Sequence, residues 1–406
     1  MFLQEKNLGI IGCYIFIAGI FLYFCPIINI FIMILGLLKE PLDENRVALL
    51  PESLHELLKL KVNVIVEENA GEKAFSYDKD YQKAGGQIDK REQILAKADI
   101  ILCIHPPKET DIIKLKPNAV LVGVLNPLWS KEYTKMLCDS GISSFSLDIL
   151  PRTTRAQAMD ILSSMATVAG YKAVLKAAGE LPNFFPMFMS AAGTIKPSKV
   201  MIIGAGVAGL QAIATARKLG AVVEAFDVRS AVKEEVMSLG AKFIEVEGAK
   251  DDKSAGGYAV EQSEDFLNRQ KQAIHDHAVK SNVIICTAQI PGKKAPVLIY
   301  KNTVDSMIPG SVIIDLAASS GGNCEYTENN KIVLQNGVKI IGNSNFPSEL
   351  PIDSSRMFGK NLINFLKLFI DQEGNLKLDF QDEIVKNSCI ASNKEFVSDR
   401  VKNLFV

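Results

Sequence analysis

The sequence predicts an α/β chain built from two doubly wound parallel-sheet units. Three observations predict it. From Met33 onward, short apolar runs alternate with helical patterns, the order in which parallel strands are laid down beneath crossover helices. Residues 152–181, RTTRAQAMDILSSMATVAGYKAVLKAAGEL, read as one long helix set between two such alternating regions. Val200 to Arg229, VMIIGAGVAGLQAIATARKLGAVVEAFDVR, reads as a strand, a glycine turn, a helix and a second strand ending in an acid.

Bulk properties narrow the class. A chain of 406 residues has room for two or three domains with full cores. Its net charge of −1 gives no electrostatic reason to expect a nucleic-acid partner. The 7 cysteines are odd in number and scattered, with no C-x-x-C pair, so neither a disulfide framework nor a zinc site is expected and a reducing compartment fits. The 4 histidines make no metal-ligand pattern, and His275 and His277 read as the solvated face of a polar helix.

The elements follow in order. Between Lys6 and Lys39 no residue is charged, and that run is long enough to cross a bilayer. Three readings stand for residues 1–32: a transmembrane anchor over residues 8–28, a signal peptide without an A-x-A-like cleavage site, or an upstream extension of a protein whose translation starts at Met33. Met33 to Glu40 reads as the first buried strand. Val62–Glu68, Asp99–His105 and Ala119–Leu125 are further strands, and Ser53–Lys61 is a helix opened by a serine cap. This first unit runs to about Leu150. The long helix then bridges the units, with Pro182 beyond its end.

The second unit holds strands at Val200–Ile203, Val222–Phe226, Val283–Thr287, Val312–Leu316 and Lys339–Ile341. An amphipathic helix at Ser354–Ile370 has no following strand signal and crosses back to the first unit. Residues 247–266 form a polar, glycine-containing insertion of the kind that serves as a mobile lid. The domains are therefore 33–165 with 349–390, and 166–348, flanked by the 1–32 extension and a 391–406 tail.

Chemistry concentrates at the glycine turn. Gly204-Ala205-Gly206-Val207-Ala208-Gly209 matches G-x-G-x-x-G between a strand and a helix, the context that makes the motif specific. Gly204 allows the tight turn, Gly206 admits a pyrophosphate to the backbone, and Gly209 lets helix and strand approach. The amides of Val207 and Ala208 lie at the helix N-terminus, where free N–H groups and the helix dipole favour phosphate. Asp227 ends the second strand at the spacing where an acid accepts ribose hydroxyls, followed by Val228 and Arg229. A carboxylate there repels a 2′-phosphate and selects NAD(H), a preference that the nearby Arg229 weakens. Ala288 and Gln289 follow another strand end and are candidates for contacting adenine or ribose.

From Met33 to about Ile390 the chain resembles the α subunit of proton-translocating NAD(P) transhydrogenases, specifically its NAD(H)-binding domain I. The matching stretches are KEPLDENRVALLP, PRTTRAQAMDILSSMATVAGYKAV, GAGVAGLQAIATARKLGA, GGYAVEQSEDF, TAQIPGKKAP, DLAASSGGNCE and SNFPSELP, in order. The resemblance implies two Rossmann-like domains with a cleft between them, paired as a homodimer. It implies hydride transfer between NADH and NADP(H) bound on a partner subunit, at the cytoplasmic face of a bacterial inner membrane. The membrane-spanning and NADP-binding subunits would be separate chains, as in split forms. By the same resemblance Gln157 bonds the nicotinamide carboxamide, with Arg152, Asp160 and Ser163 forming the polar network around it. Tyr258, beside Gly257, belongs to a loop that closes over the nucleotide.

Alanine dehydrogenase shares this fold and is the competing reading. Its substrate arginine position falls at Arg46, its lysine at His105, its catalytic histidine at Asn126 and its cleft aspartate at Ser319. Loss of an imidazole and a carboxylate together disfavours amino-acid oxidation, and His105 reads as a structural histidine. Gln289 and the pair Ser319-Ser320 depart from the transhydrogenase pattern.

Overall fold

The computed structural model describes the strands Tyr14–Ile17 and Ile20–Tyr23 and residues 33–248, 263–290 and 292–405. The two early strands pair antiparallel; the remainder of the 1–32 extension, including most of the anchor reading, lies outside the described residues. Among the described residues no helix is long and apolar enough to cross a membrane.

Two sheets follow. The first has eight strands in the spatial order Glu395–Phe396, Cys389–Ser392, Ser143–Ser146, Val120–Gly123, Ile100–Leu102, Ile34–Leu37, Asn63–Glu67 and Gln87–Asp89. It is parallel from Ser143–Ser146 onward, with the two C-terminal strands antiparallel at one edge. The second has seven, in the order Lys242–Phe243, Val222–Phe226, Lys199–Ile203, Val283–Cys286, Val312–Asp315, Val338–Gly342 and Lys331–Gln335, with only the last antiparallel to its neighbour.

Side-chain alternation gives each sheet two covered faces. In the second, Val200, Ile202, Val283 and Ile285 pack beneath Ala173, Val174 and Ala177 of the long helix. Met201, Ile203 and Ile284 face the other way, onto Ile274 and Ala278. In the first, Leu35, Leu37, Val64 and Val66 meet Phe358, Leu362 and Phe365. Phe145, Phe365 and Phe369 lock that layer with ring centroids 5.3 to 5.8 Å apart.

The structure corrects the sequence reading in four places. Residues 152–181 are not one helix: a 3-10 segment, Thr154–Met159, precedes the α-helix Ile161–Glu180. Asp160 causes the break, because its carboxylate accepts the Ser163 N–H at 3.0 Å and so caps a new helix start. Ser53 does not cap the helix Leu54–Lys59; it is itself helical, continuing a 3-10 turn from Pro51. The returning helix, Pro351–Leu366, does lead to a strand, Cys389–Ser392. Residues 391–406 are consequently no tail, since Ala391 and Val401 are fully buried in the first domain.

Candidate functional site

The glycine turn sits at the carboxyl edge of the second sheet. Gly204 has φ +94°, the left-handed region, and a Cβ there would meet Thr287 Oγ1 at 2.5 Å. A Cβ on Gly209 would overlap the Gly204 carbonyl oxygen, so helix Val207–Lys218 can start only with glycine at this place. Gly206 differs: its Cβ position meets only Arg229 Nη2, at 4.0 Å. That face is open, and no side chain caps the helix N-terminus, which leaves the first-turn amides of Val207, Ala208 and Gly209 directed at the opening.

Asp227 lies beside the turn with its side chain 6 % exposed. One carboxylate oxygen accepts the Ala205 N–H at 2.7 Å. Arg229 folds back onto the same carboxylate, donating from its backbone N–H and Nε at 2.9 Å and from Nη2 at 2.7 Å. Asp227 and Val228 also line a concavity with Phe226, Lys233 and Phe243, which places a pocket outside the strand that ends in the acid.

On the other side, Thr287 Oγ1 donates to the Gly204 carbonyl at 2.9 Å. Ala288 is held from both sides by Asn323, whose Oδ1 accepts the Ala288 N–H at 3.0 Å and whose Nδ2 donates to the Ala288 carbonyl at 2.9 Å. Asn323 is fully buried, and its own N–H is held by buried Asp315 at 2.7 Å. Burial pushes the Asp315 carboxyl up from its ordinary range, against the hydrogen bonds of Thr327 and three amides. Gln289 is exposed and donates to the Leu316 carbonyl at 3.1 Å. Thr287 and Asn323 escaped the sequence reading, although they lie inside the stretches TAQIPGKKAP and DLAASSGGNCE.

The other predicted residues surround the start of the long helix. Asp160 is satisfied by Ser163, whose N–H and Oγ it accepts at 3.0 and 2.6 Å. Gln157 and Arg152 are exposed. Asn361 and Asn364 of the returning helix both donate to the Ala158 carbonyl, at 2.8 and 3.0 Å, and Arg155 pairs with Asp382. The segment is therefore fixed at its backbone while Gln157 faces outward. Seven residues beyond Ser163, Gly170 abuts the backbone of Ala208, so one helix joins this segment to the glycine turn. Across the cleft, Leu128 faces Gly292, its Cβ 3.7 Å from where a Cβ on that glycine would lie. Gly257 and Tyr258 lie outside the described residues.

The positions of the competing reading are also defined. Arg46 is buried and occupied: Nε and Nη2 donate to Glu44 at 2.8 and 2.7 Å. His105 Nε2 lies 2.8 Å from Glu44 Oε2, the oxygen that also accepts Arg46 Nη2. Asn126 adopts φ +50° and Ser319 is exposed. His277 and His275 are half-buried rather than solvated, with ring nitrogens 2.6 Å from Glu224 and 2.9 Å from Thr303.

These features define a two-domain α/β protein with a dinucleotide-type phosphate turn facing an interdomain cleft. Comparison with known proteins narrows the class. Residues 36–169 match the model of the alanine dehydrogenase/PNT N-terminal domain, and residues 173–399 that of the C-terminal domain. The chain is 45% identical over 363 residues to the first part of the NAD(P) transhydrogenase subunit alpha of Rhodospirillum rubrum, covering 87% of this chain and 94% of that one. It is 44% identical over 366 residues to the NAD(P) transhydrogenase subunit alpha of Haemophilus influenzae, covering 89% and 71%. A transhydrogenase crystal structure from Sinorhizobium meliloti superposes with a TM-score of 0.82 at 39% identity, covering 90% of this chain and 100% of that one. The chain belongs to the alanine dehydrogenase/PNT family, among the NAD(P) transhydrogenase alpha subunits.

Proposed function

We propose that the chain is the NAD(H)-binding component of a proton-translocating NAD(P) transhydrogenase. One observation carries the reading: a single helix, Ile161–Glu180, is pinned at Gly170 to the glycine turn and at Asp160 to the Gln157 segment. At 1.5 Å per residue, Ser163 and Gly170 are about 10 Å apart along its axis. The helix thereby fixes the separation between a phosphate site and a polar segment that can hold a ring at the far end of the same ligand.

The residues present fit NAD(H). The open face at Gly206 and the uncapped amides receive the pyrophosphate. Asp227 receives the adenosine ribose, and the concavity beside Val228 lies where the adenine would stack. Gln157 orients the carboxamide, with Arg152, Asp160 and Ser163 around it, and Ala288 and Gln289 serve the adenosine end; the role of Gly257 and Tyr258 toward the nucleotide rests on the family resemblance alone. NADH, when bound, supplies the hydride, so this chain needs only to orient the ring and exclude water. NADP(H) is held on a partner subunit, and a membrane-spanning subunit couples the transfer to proton movement at the cytoplasmic face of the membrane.

A homodimer is part of the proposal. The hairpin Phe188–Ser190 with Gly193–Ile195 exposes Met187, Phe188, Met189 and Ile195. An isolated two-stranded hairpin is barely stable in water, which supports a second copy as its cover. The alanine dehydrogenase reading is disfavoured because Glu44 already occupies the guanidinium of Arg46. The deciding experiment supplies NADH, then an NADP-binding partner domain with an NADP analogue. Oxidation is expected only with both additions; NADH formation from alanine and NAD alone would refute the assignment.

A further inference from the structure

A cluster of charged groups at the hinge is not used by the hydride transfer. Its centre is Glu44, 2% exposed. Oε1 accepts the Arg46 backbone N–H at 2.9 Å and Nε at 2.8 Å; Oε2 accepts Arg46 Nη2 at 2.7 Å. Oε2 also lies 2.8 Å from His105 Nε2 and accepts Asn345 Nδ2 at 3.3 Å. Arg46 extends the cluster, with Nη2 donating to Asn345 Oδ1 at 3.3 Å and Nη1 to Met165 Sδ at 3.1 Å. Three parts of the chain meet here: the first domain at Glu44, Arg46 and His105, the first turns of the interdomain helix at Met165, and the turn at Asn345 that leaves the second sheet. Beside them Asn45 binds Ser348 through two hydrogen bonds of 2.8 and 3.0 Å.

The charged groups facing His105 are Glu44, Glu40 and Arg46. Glu40 is held by the amides of Ile104 and His105 at 2.6 and 3.0 Å. Burial opposes charge on the imidazole, but the Glu44 hydrogen bond and the two carboxylates outweigh it and raise its pKa from 6.5. Burial pushes Glu40 up to about 7, against its two backbone hydrogen bonds. Both groups are therefore displaced upward from their ordinary values, Glu40 by burial and His105 by its carboxylate partners.

We propose that Glu44, His105, Arg46 and Asn345 form a proton-controlled clamp on the interdomain hinge, with His105 as its positioning residue. With the imidazolium in place, Glu44 holds Asn345 directly and the long helix through Arg46. When His105 and Glu40 have lost their protons, two carboxylates stand near one neutral ring with only Arg46 to balance them, and the hinge loosens. The clamp stands on its own; its link to cofactor binding rests on the transhydrogenase reading.

The full chain and its His105→Gln variant, which keeps an amide donor but does not titrate, test the proposal. Amide exchange over residues 161–165 and 343–348, corrected for intrinsic rate, and the NADH dissociation constant are followed from about pH 6 to about pH 8.5. In the wild type, protection is expected to fall about tenfold and the dissociation constant to rise about fivefold over this range, with less than about twofold change in the variant. Equal pH dependence in both proteins overturns the clamp. If the variant does not fold, the wild-type imidazole resonance serves instead: its midpoint should lie above 6.5, and the Asn345 side-chain resonance should follow it. An Asn345 signal that ignores the His105 titration overturns the proposal. Absence of NADH binding at every pH, with the exchange switch intact, refutes the cofactor reading and leaves the clamp standing.

Discussion

Gly170 of the long helix packs against the peptide backbone of Ala208, and a methyl group on Gly170 would lie 2.9 Å from the Ala208 carbonyl carbon. Lys339 of the second sheet pairs with Glu180 at the end of the helix, at 2.5 Å, and Ala173, Val174 and Ala177 are buried in the core of the second domain, so the helix cannot simply move away. Gly170→Ala is expected to cost about 1–3 kcal/mol through overpacking. For the second domain unfolding as a unit, that lowers the melting temperature by several degrees, at about 2–4 °C per kcal/mol. Because the displaced backbone is that of the phosphate turn, NADH affinity should fall by about tenfold, or 1.4 kcal/mol. Thermal unfolding and NADH fluorescence titration measure the two effects. A stability loss with unchanged affinity would show that the turn does not depend on the helix.

Asp227 and Arg229 form a second pair whose roles can be separated. The guanidinium covers the carboxylate that would accept the ribose, and it is also a cation beside the position of a 2′-phosphate. Asp227→Ala should lower the preference for NADH over NADPH by at least about tenfold. Arg229→Ala should move the preference the opposite way, since it removes the cation and leaves the acid. Paired titrations with the two nucleotides decide it; the same direction in both variants would defeat the assignment.

The parts of the fold that could be read from the sequence are those in which local pattern and tertiary role agree. Val200–Ile203 and Val283–Cys286 are continuous apolar runs because both faces are covered. The G-x-G-x-x-G spacing is legible because steric demands at Gly204 and Gly209 act over a few residues. Ser143–Ser146 was not legible: SSFS lacks a strand composition, and its place follows from pairing on both sides, with Ser143 Oγ 2.8 Å from Ser392 Oγ. Asp160 sits inside a helical pattern, and its capping role appears only once the Ser163 geometry is known. Gly170 and Asn323 act on backbone groups distant in sequence, Ala208 and Ala288, so no spacing rule announces them.

The segment at the start of the long helix separates positioning from binding. Gln157 is exposed on a backbone fixed through Ala158 and Asp160. Gln157→Asn shortens the side chain without touching those bonds. Hydride transfer to the partner-bound acceptor should slow by at least about tenfold while NADH affinity changes less than about twofold. Asp160→Ala, by contrast, removes the cap and should cost about 1 kcal/mol of stability. Single-turnover transfer and equilibrium titration on each variant measure the split. Equal losses of rate and affinity in Gln157→Asn would remove its positioning role.

Glu44→Gln tests the buried pair at the hinge. The substitution leaves the Arg46 guanidinium buried without its carboxylate, and breaking such a pair costs about 3–5 kcal/mol. The pH dependence has a definite sign. Burial works against the charged Glu44, but Arg46 and His105 outweigh it and hold the carboxyl well below the usual carboxylate range. The stabilisation is therefore complete above the unfolded value of 4.5 and is lost as the pH falls toward the depressed folded value. Urea unfolding of wild type and variant should differ most near neutral pH, and the gap should narrow as the pH is taken below 4.5. A gap independent of pH through that range would show that the variant suffers from packing alone, with no contribution from the charge on Glu44.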